Sequence, residues 1–190
     1  MCQNTYYNLW NISKLRKSLS KETIKIAVNS LVTPHLDYGN ALLYGVNSQF
    51  INRLQVAQNS AVRLIEGLKR HDHVSKSMKE LHWLPIPARI QFKLMTTIWK
   101  ILNNMAPEYL TGLVQLKPEN EHNLRSNDKG LLLVPNSRNQ NNFEDRAFHY
   151  SAPSLWNSLS VKLRNSKTLV LFRKRLKTHL FTKFYKLAQS

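Results

Sequence analysis

Cys2 is the only cysteine in this 190-residue chain. That excludes an intramolecular disulfide and any zinc site built on several cysteines. Five glycines, widely spaced, form neither a phosphate-cradling P-loop nor a dinucleotide fingerprint. Long hydrophobic runs are missing too. The longest aliphatic stretch is Leu131–Val134, far short of the roughly 18 apolar residues of a membrane span. The N-terminus lacks the basic–apolar–small order of a signal peptide. The expectation is an intracellular protein, nuclear or cytoplasmic, with no membrane association and no disulfide partner.

Acidic residues are the scarce charge, 11 against 28 Lys and Arg. Two-metal nucleotidyl transfer needs carboxylates gathered around both ions. The only adjacent acidic pair is Glu144-Asp145, and Arg146 beside it points to an ordinary salt bridge. His71-Asp72-His73 with His82 contains ligand types that suit zinc, but surface histidines beside a capping Asp account for them. No nucleophile elbow orders Ser, His and Asp. The sequence therefore points to a chain without a catalytic centre, with no catalytic residue, no metal site and no cofactor assigned.

What is present is apolar residues and cations together. A hydrophobic content of 42% is too high for a disordered basic tail. A folded domain of net charge +17 repels itself unless a polyanion offsets the charge. The charge is also skewed, with 13 basic and 4 acidic residues over 121–190 and no acid after Asp145. Nucleic acid is the commonest such partner, with an anionic membrane surface and a ribosomal or chaperone-like role as the other readings.

Helical periodicity covers most of the chain. Ser20 with Glu22 opens a helix whose stripe is Ile24, Ala27, Val28, Leu31 and Val32, stopped by Pro34. Asn47 or Ser48 opens another, with Ile51, Leu54, Ala61, Val62 and Ile65 on one face and Gly67 as terminator. Gln58 falls in that apolar face and reads as a buried amide needing partners. Further helices are expected over Ser75–Leu81, Pro87–Asn104, Pro107–Leu113, Pro153–Leu163 and Thr168–Leu187, with a polar loop over Lys117–Gly130. Leu131–Val134 is the one strand candidate. The fold class is mainly α with at most a short strand. The polar break at 68–74 divides a helical unit of residues 1–68 from a basic helical region of residues 72–190.

Three basic sets are candidates for phosphate contact. The first is Lys14, Arg16, Lys17, Lys21 and Lys25. The second is Arg89, Lys93 and Lys100, sharing a face of one helix. The third is Lys174, Arg175 and Lys177, outside the stripe Leu169, Phe172, Leu176, Leu180, Phe184 and Leu187 on the last helix, with Lys186 also outside it and Arg173 and Lys183 at its edge. Phosphate contacts give affinity but carry no base information. Trp83, Trp99 and Trp156 sit among apolar neighbours and read as core, whereas for Trp10 core packing and base stacking both stay open.

Ordered motifs add a resemblance. The segments Tyr-Tyr-Asn-Leu-Trp-Asn-Ile-Ser-Lys-Leu-Arg-Lys-Ser-Leu (6–19), Leu-Asp-Tyr-Gly-Asn-Ala-Leu-Leu-Tyr-Gly (36–45) and Leu-Gln-Val-Ala-Gln-Asn-Ser-Ala-Val-Arg-Leu-Ile (54–65) begin it. Leu-His-Trp-Leu-Pro-Ile (81–86), Arg-Ile-Gln-Phe-Lys (89–93), Ala-Pro-Glu-Tyr-Leu (106–110) and Leu-Arg-Ser (124–126) continue it. Asp-Arg-Ala-Phe (145–148), Ala-Pro-Ser-Leu-Trp-Asn-Ser-Leu (152–159) and Phe-Arg-Lys-Arg-Leu-Lys-Thr-His-Leu-Phe (172–181) close it. In this order the set resembles the C-terminal part of non-LTR (LINE-type) retrotransposon reverse transcriptases, of the chicken-repeat and jockey-like branches.

The resemblance implies a helical thumb gripping template and primer over residues 1–68, then a C-terminal region engaging RNA or target DNA. It also implies a polymerase palm as a possible partner. The palm's aromatic-Ala-Asp-Asp motif is absent, so the resemblance implies a non-catalytic fragment. Trp10 stands where Arg is usual in that family, Glu144 where Gly is usual, and Ser160 where Pro is usual. The expected function is non-specific RNA or DNA binding. A protein-docking module and a non-functional transposon relic remain as alternatives.

Overall fold

The computed structural model describes residues 2–118, 130–134 and 148–186. The protein is mainly helical. Its helices are α1 (Cys2–Lys14), α2 (Lys21–Leu31), α3 (Thr33–Asp37), α4 (Ser48–Glu66), α5 (Ser75–Glu80), α6 (Ile86–Leu102), α7 (Glu108–Thr111), α8 (Phe148–Asn157), α9 (Val161–Arg164) and α10 (Leu169–Lys186). The chain divides into two compact units. One runs to Ile90 and takes back the chain from Phe184, and the other is Gln91–Lys183.

In the first unit, α1, α2 and α4 pack on one another, with α3 and α5 alongside. Most of the expected stripes supply its core: Ile24, Val28 and Val32 around α2, then Leu54, Ala61, Val62 and Ile65 from α4 are buried, joined by Ala57, while Leu31 stays 50% exposed. Leu9 and Ile12 join them from α1. Ser20 caps α2 by accepting from the Thr23 amide. Asn47 caps α4 by accepting from the Gln49 amide. Asn8 reaches from α1 to donate to the Leu31 carbonyl at 2.8 Å, covering an otherwise open carbonyl at the end of α2. Pro34 does more than stop α2, because it occupies the first turn of α3, where its missing N–H costs nothing.

Gln58 is fully buried, and its amide is paired. Nε2 donates to the Leu84 carbonyl at 2.9 Å, and Oε1 accepts from Gln55. Gln55 Oε1 also accepts from the Ile86 amide. Side chains of α4 thus bind the backbone of the Trp83–Ile86 turn.

The divide falls between Ile90 and Gln91, within α6, and not in the polar stretch 68–74. Two features keep that stretch inside the first unit. Arg63 donates from Nε and Nη2 to the Asp72 carbonyl, and Val74 and Met78 bury their side chains in the same core as α4. A polar surface segment is no boundary when its neighbours insert into the core on either side.

The second unit is built around Phe172, whose ring lies 5.9 Å from Trp99 and 5.8 Å from Trp156. Leu94, Ile98, Leu155, Leu163, Leu176 and Leu180 complete the packing. Burial of aromatic rings in offset contact stabilises beyond area alone. α6 ends at Leu102, two residues earlier than expected. Asn104 takes a left-handed φ of 54°, its amide donates to Ile101 and the Met105 amide to Lys100, which closes the helix as a Schellman motif.

Two further expectations need correction here. Pro153 lies inside α8 and does not open a helix. Leu131–Val134 forms no strand; a single antiparallel bridge joins Leu116 and Leu132. The other edge of Leu132 is taken by the Asn157 side chain, which accepts from its amide and donates to its carbonyl. An amide side chain satisfies that backbone where a neighbouring strand would otherwise do so. The expected loop over Lys117–Gly130 lies mostly outside the described residues, as do Glu144, Asp145, Arg146 and Leu187.

Candidate nucleic-acid interface

A groove of about 570 Å³ runs along the first unit between α1 and the end of α4. Tyr6, Trp10 and Ser13 line it from α1, and Ser60 and Arg63 from α4. Arg16, Gly67 and Arg70 line it as well. Beyond Tyr6 a second depression of about 440 Å³ continues along α1, flanked by Arg53, Asn52 and Gln49. Among the described residues, none that lines either depression is a carboxylate.

Arg16 is placed by the residue it lies against. Gly67 ends α4 with φ 70°, a left-handed conformation that costs glycine little. A Cβ at Gly67 would stand 2.4 Å from Nη2 of Arg16. The absent side chain is what lets the guanidinium settle at the C-terminal end of α4, where the helix dipole favours a cation. Arg63, one turn back, is held by its two bonds to the Asp72 carbonyl. Asp72 itself caps the turn by accepting from the Lys69 amide at 2.7 Å.

The other members of the first set divide. Lys14 is exposed, with Nζ 3.3 Å from the centroid of the Trp10 ring. Lys17 is exposed on the Arg16–Ser18 turn, and Lys25 is half-buried on α2. Lys21 is neutralised. It donates to Glu66 at 2.6 Å, and that hydrogen bond raises its pKa above the ordinary lysine value.

The second set does not act as one face. Arg89 donates from Nη1 to both carboxylate oxygens of Asp37 and from Nε to the Leu84 carbonyl. Its side chain is only 14% exposed, beside the Trp83 ring, so it braces the first unit. Lys93 is exposed and Lys100 half-buried, both in the second unit. In the third set Lys174 and Lys177 are exposed, one turn apart on α10. Arg175 is engaged, donating to the Lys162 carbonyl at 3.2 Å and to Ser166 Oγ at 3.4 Å. Lys21, Arg89 and Arg175 therefore hold structure and are not cations free to meet phosphate.

The groove's own arginines, Arg53, Arg63 and Arg70, went unnoticed in the sequence because no two of them share a local cluster. The available signal was Arg63 and Arg70 on either side of a helix-ending Gly67. Of the tryptophans, Trp83, Trp99 and Trp156 are buried, and Trp10 keeps 55% of its surface exposed.

Among the described residues no three His, Cys, Asp or Glu side chains come together as metal ligands. No described helix is long and apolar enough to cross a membrane. No protein-family model, no curated protein and no solved structure matches the chain.

Proposed function

We propose that this chain binds RNA or DNA without sequence preference, as a non-catalytic helical fragment of the kind that follows the palm in non-LTR reverse transcriptases. The observation that carries the reading is the groove of the first unit, lined by Arg16 and Arg70, with Arg63 held to the Asp72 carbonyl, and free of lining carboxylates. Lys174 and Lys177 on α10 add exposed cations in the second unit, where Glu108 is the only acid among the described residues. Such surfaces meet a phosphate backbone through counterion release, which gives affinity without reading bases.

The test is binding of the purified chain to labelled RNA and DNA across a salt series. With about six phosphates contacted, the log–log slope should be about −4 to −5. A slope near zero, or binding confined to one short sequence, overturns the reading. Primer extension on a primed RNA template with Mg²⁺ should show no synthesis above a boiled control.

A protein-docking role has one observation in its favour. Tyr38 and Leu42 are 81% and 85% exposed around the Asn40–Leu43 turn. Double replacement of these two by Ser should leave nucleic-acid affinity unchanged.

A further inference from the structure

A purely cationic surface needs no aromatic rings, yet two stand in this groove. Tyr6 is 42% exposed and Trp10 55% exposed, and both line the larger depression. They are four residues apart on α1, so they share a face and are separated by about 6 Å along the helix axis. Tyr6 also lines the smaller depression, so the two adjoin at this residue along α1. Arginines line both depressions, Arg16, Arg63 and Arg70 the larger and Arg53 the smaller. Lys14 holds its ammonium over one face of the indole, and Trp10 as a whole keeps 55% of its surface exposed.

We propose that this groove takes a single strand of nucleic acid, with one unpaired base stacked on Trp10, the next against Tyr6, and phosphates on the flanking arginines. The inference rests on the nucleic-acid reading above and narrows it to unpaired strands. In a duplex each base is covered on both faces by its neighbours, so a ring set in a groove finds no π-face to stack on. An unpaired strand offers one at every base, whatever its identity. The volumes agree with this occupant. Depressions of about 570 and 440 Å³ that lie open at the surface leave room for a base beside each ring. Lys14 adds a cation beside the stacked base, where the next phosphate passes. With no carboxylate among the lining residues, the arginines favour an anionic occupant over a neutral one.

The experiment compares the full chain with Trp10→Ala and Trp10→Phe on a labelled oligothymidylate and on a labelled duplex of equal length. A thermal melt accompanies each variant, and polyglutamate serves as a competitor. Stacking on one ring contributes about five- to 150-fold in affinity by alanine substitution. Trp10→Ala should lose that factor on the single strand and change duplex binding less than twofold. Trp10→Phe should recover most of it. Tryptophan fluorescence of the wild type should be quenched by the oligothymidylate, and not by polyglutamate at equal charge.

Equal losses on strand and duplex, or no loss on either, overturn the single-strand inference and leave the general nucleic-acid reading standing. Quenching by polyglutamate equal to that by the oligothymidylate also overturns it, because the groove is then an anion site of no particular class. Failure of the wild type to bind either nucleic acid overturns the general reading, and the inference with it.

Discussion

Gly67→Ala separates two roles that one residue fills in the first unit. The backbone there has φ 70° and ψ 26°, and an alanine in the left-handed region costs roughly 1–2 kcal/mol. The new methyl also falls 2.4 Å from Arg16 Nη2 and 3.5 Å from Cζ, so the guanidinium must leave the end of α4. Its favourable interaction with the helix dipole amounts to about 0.3–1 kcal/mol. Together these predict a destabilisation of about 1–3 kcal/mol. At 4–8 °C per kcal/mol for a unit of this size, the transition of the first unit should fall by roughly 5–20 °C.

The assay is thermal unfolding followed by circular dichroism, in wild-type and Arg16→Ala backgrounds. Without the guanidinium, only the backbone cost of Gly67→Ala should remain, so the two changes should couple by about 0.3–1 kcal/mol. Gly67→Asn should recover much of the backbone cost, since asparagine tolerates this conformation, while still displacing Arg16. Strict additivity of Gly67→Ala and Arg16→Ala would refute the placement of the guanidinium. A neutral Gly67→Ala would refute the backbone argument as well.

Two further outcomes follow from side chains already placed. Lys174→Gln with Lys177→Gln should leave the melt within about 0.5 kcal/mol of wild type and flatten the nucleic-acid salt slope by about 1.5. Arg175→Gln alone should cost about 1 kcal/mol of stability through its lost bonds to Lys162 and Ser166; the reverse pattern would mean that Arg175 is the contacting cation. Burial pushes the Tyr185 phenol up from 10 to about 12, so the folded state holds its proton more tightly than the unfolded chain. Its contribution to stability is complete below pH 10 and is lost between pH 10 and 12 as the unfolded chain ionises first. Tyr185→Phe should lower stability at neutral pH and flatten this alkaline limb, and an unchanged limb would count against the burial of the phenol.

Helix faces were the most legible part of the fold. Burial in a helix repeats every 3.6 residues, and Ile24 and Val28, Leu54, Ala61, Val62 and Ile65, and Phe172, Leu176 and Leu180 are buried as that period requires. α1 was harder to see, because its buried face is only Thr5, Leu9 and Ile12, while Tyr6, Tyr7 and Trp10 stay exposed. The strand expected at Leu131–Val134 misled because apolar character does not say which group pairs with the backbone. Cation clusters were visible as charge but not as availability. The partners that engage Lys21, Arg89 and Arg175 lie 45, 52 and 13 residues away, beyond the reach of any local pattern.

The Trp83–Ile86 turn carries a consequence for how the protein is made. Most of what secures it, Gln55, Gln58 and Arg89, is synthesised within a few dozen residues. The Trp83 carbonyl, however, accepts from the Tyr185 hydroxyl at 2.5 Å, across a separation of 102 residues. During synthesis the first unit is therefore left with an open seam until the whole second unit has been translated. Contacts between residues so distant in the chain form slowly, and the apolar surface beneath them stays open to other partners meanwhile. A growing chain released before residue 184 would lack the Tyr185 contact that packs against the core of the first unit.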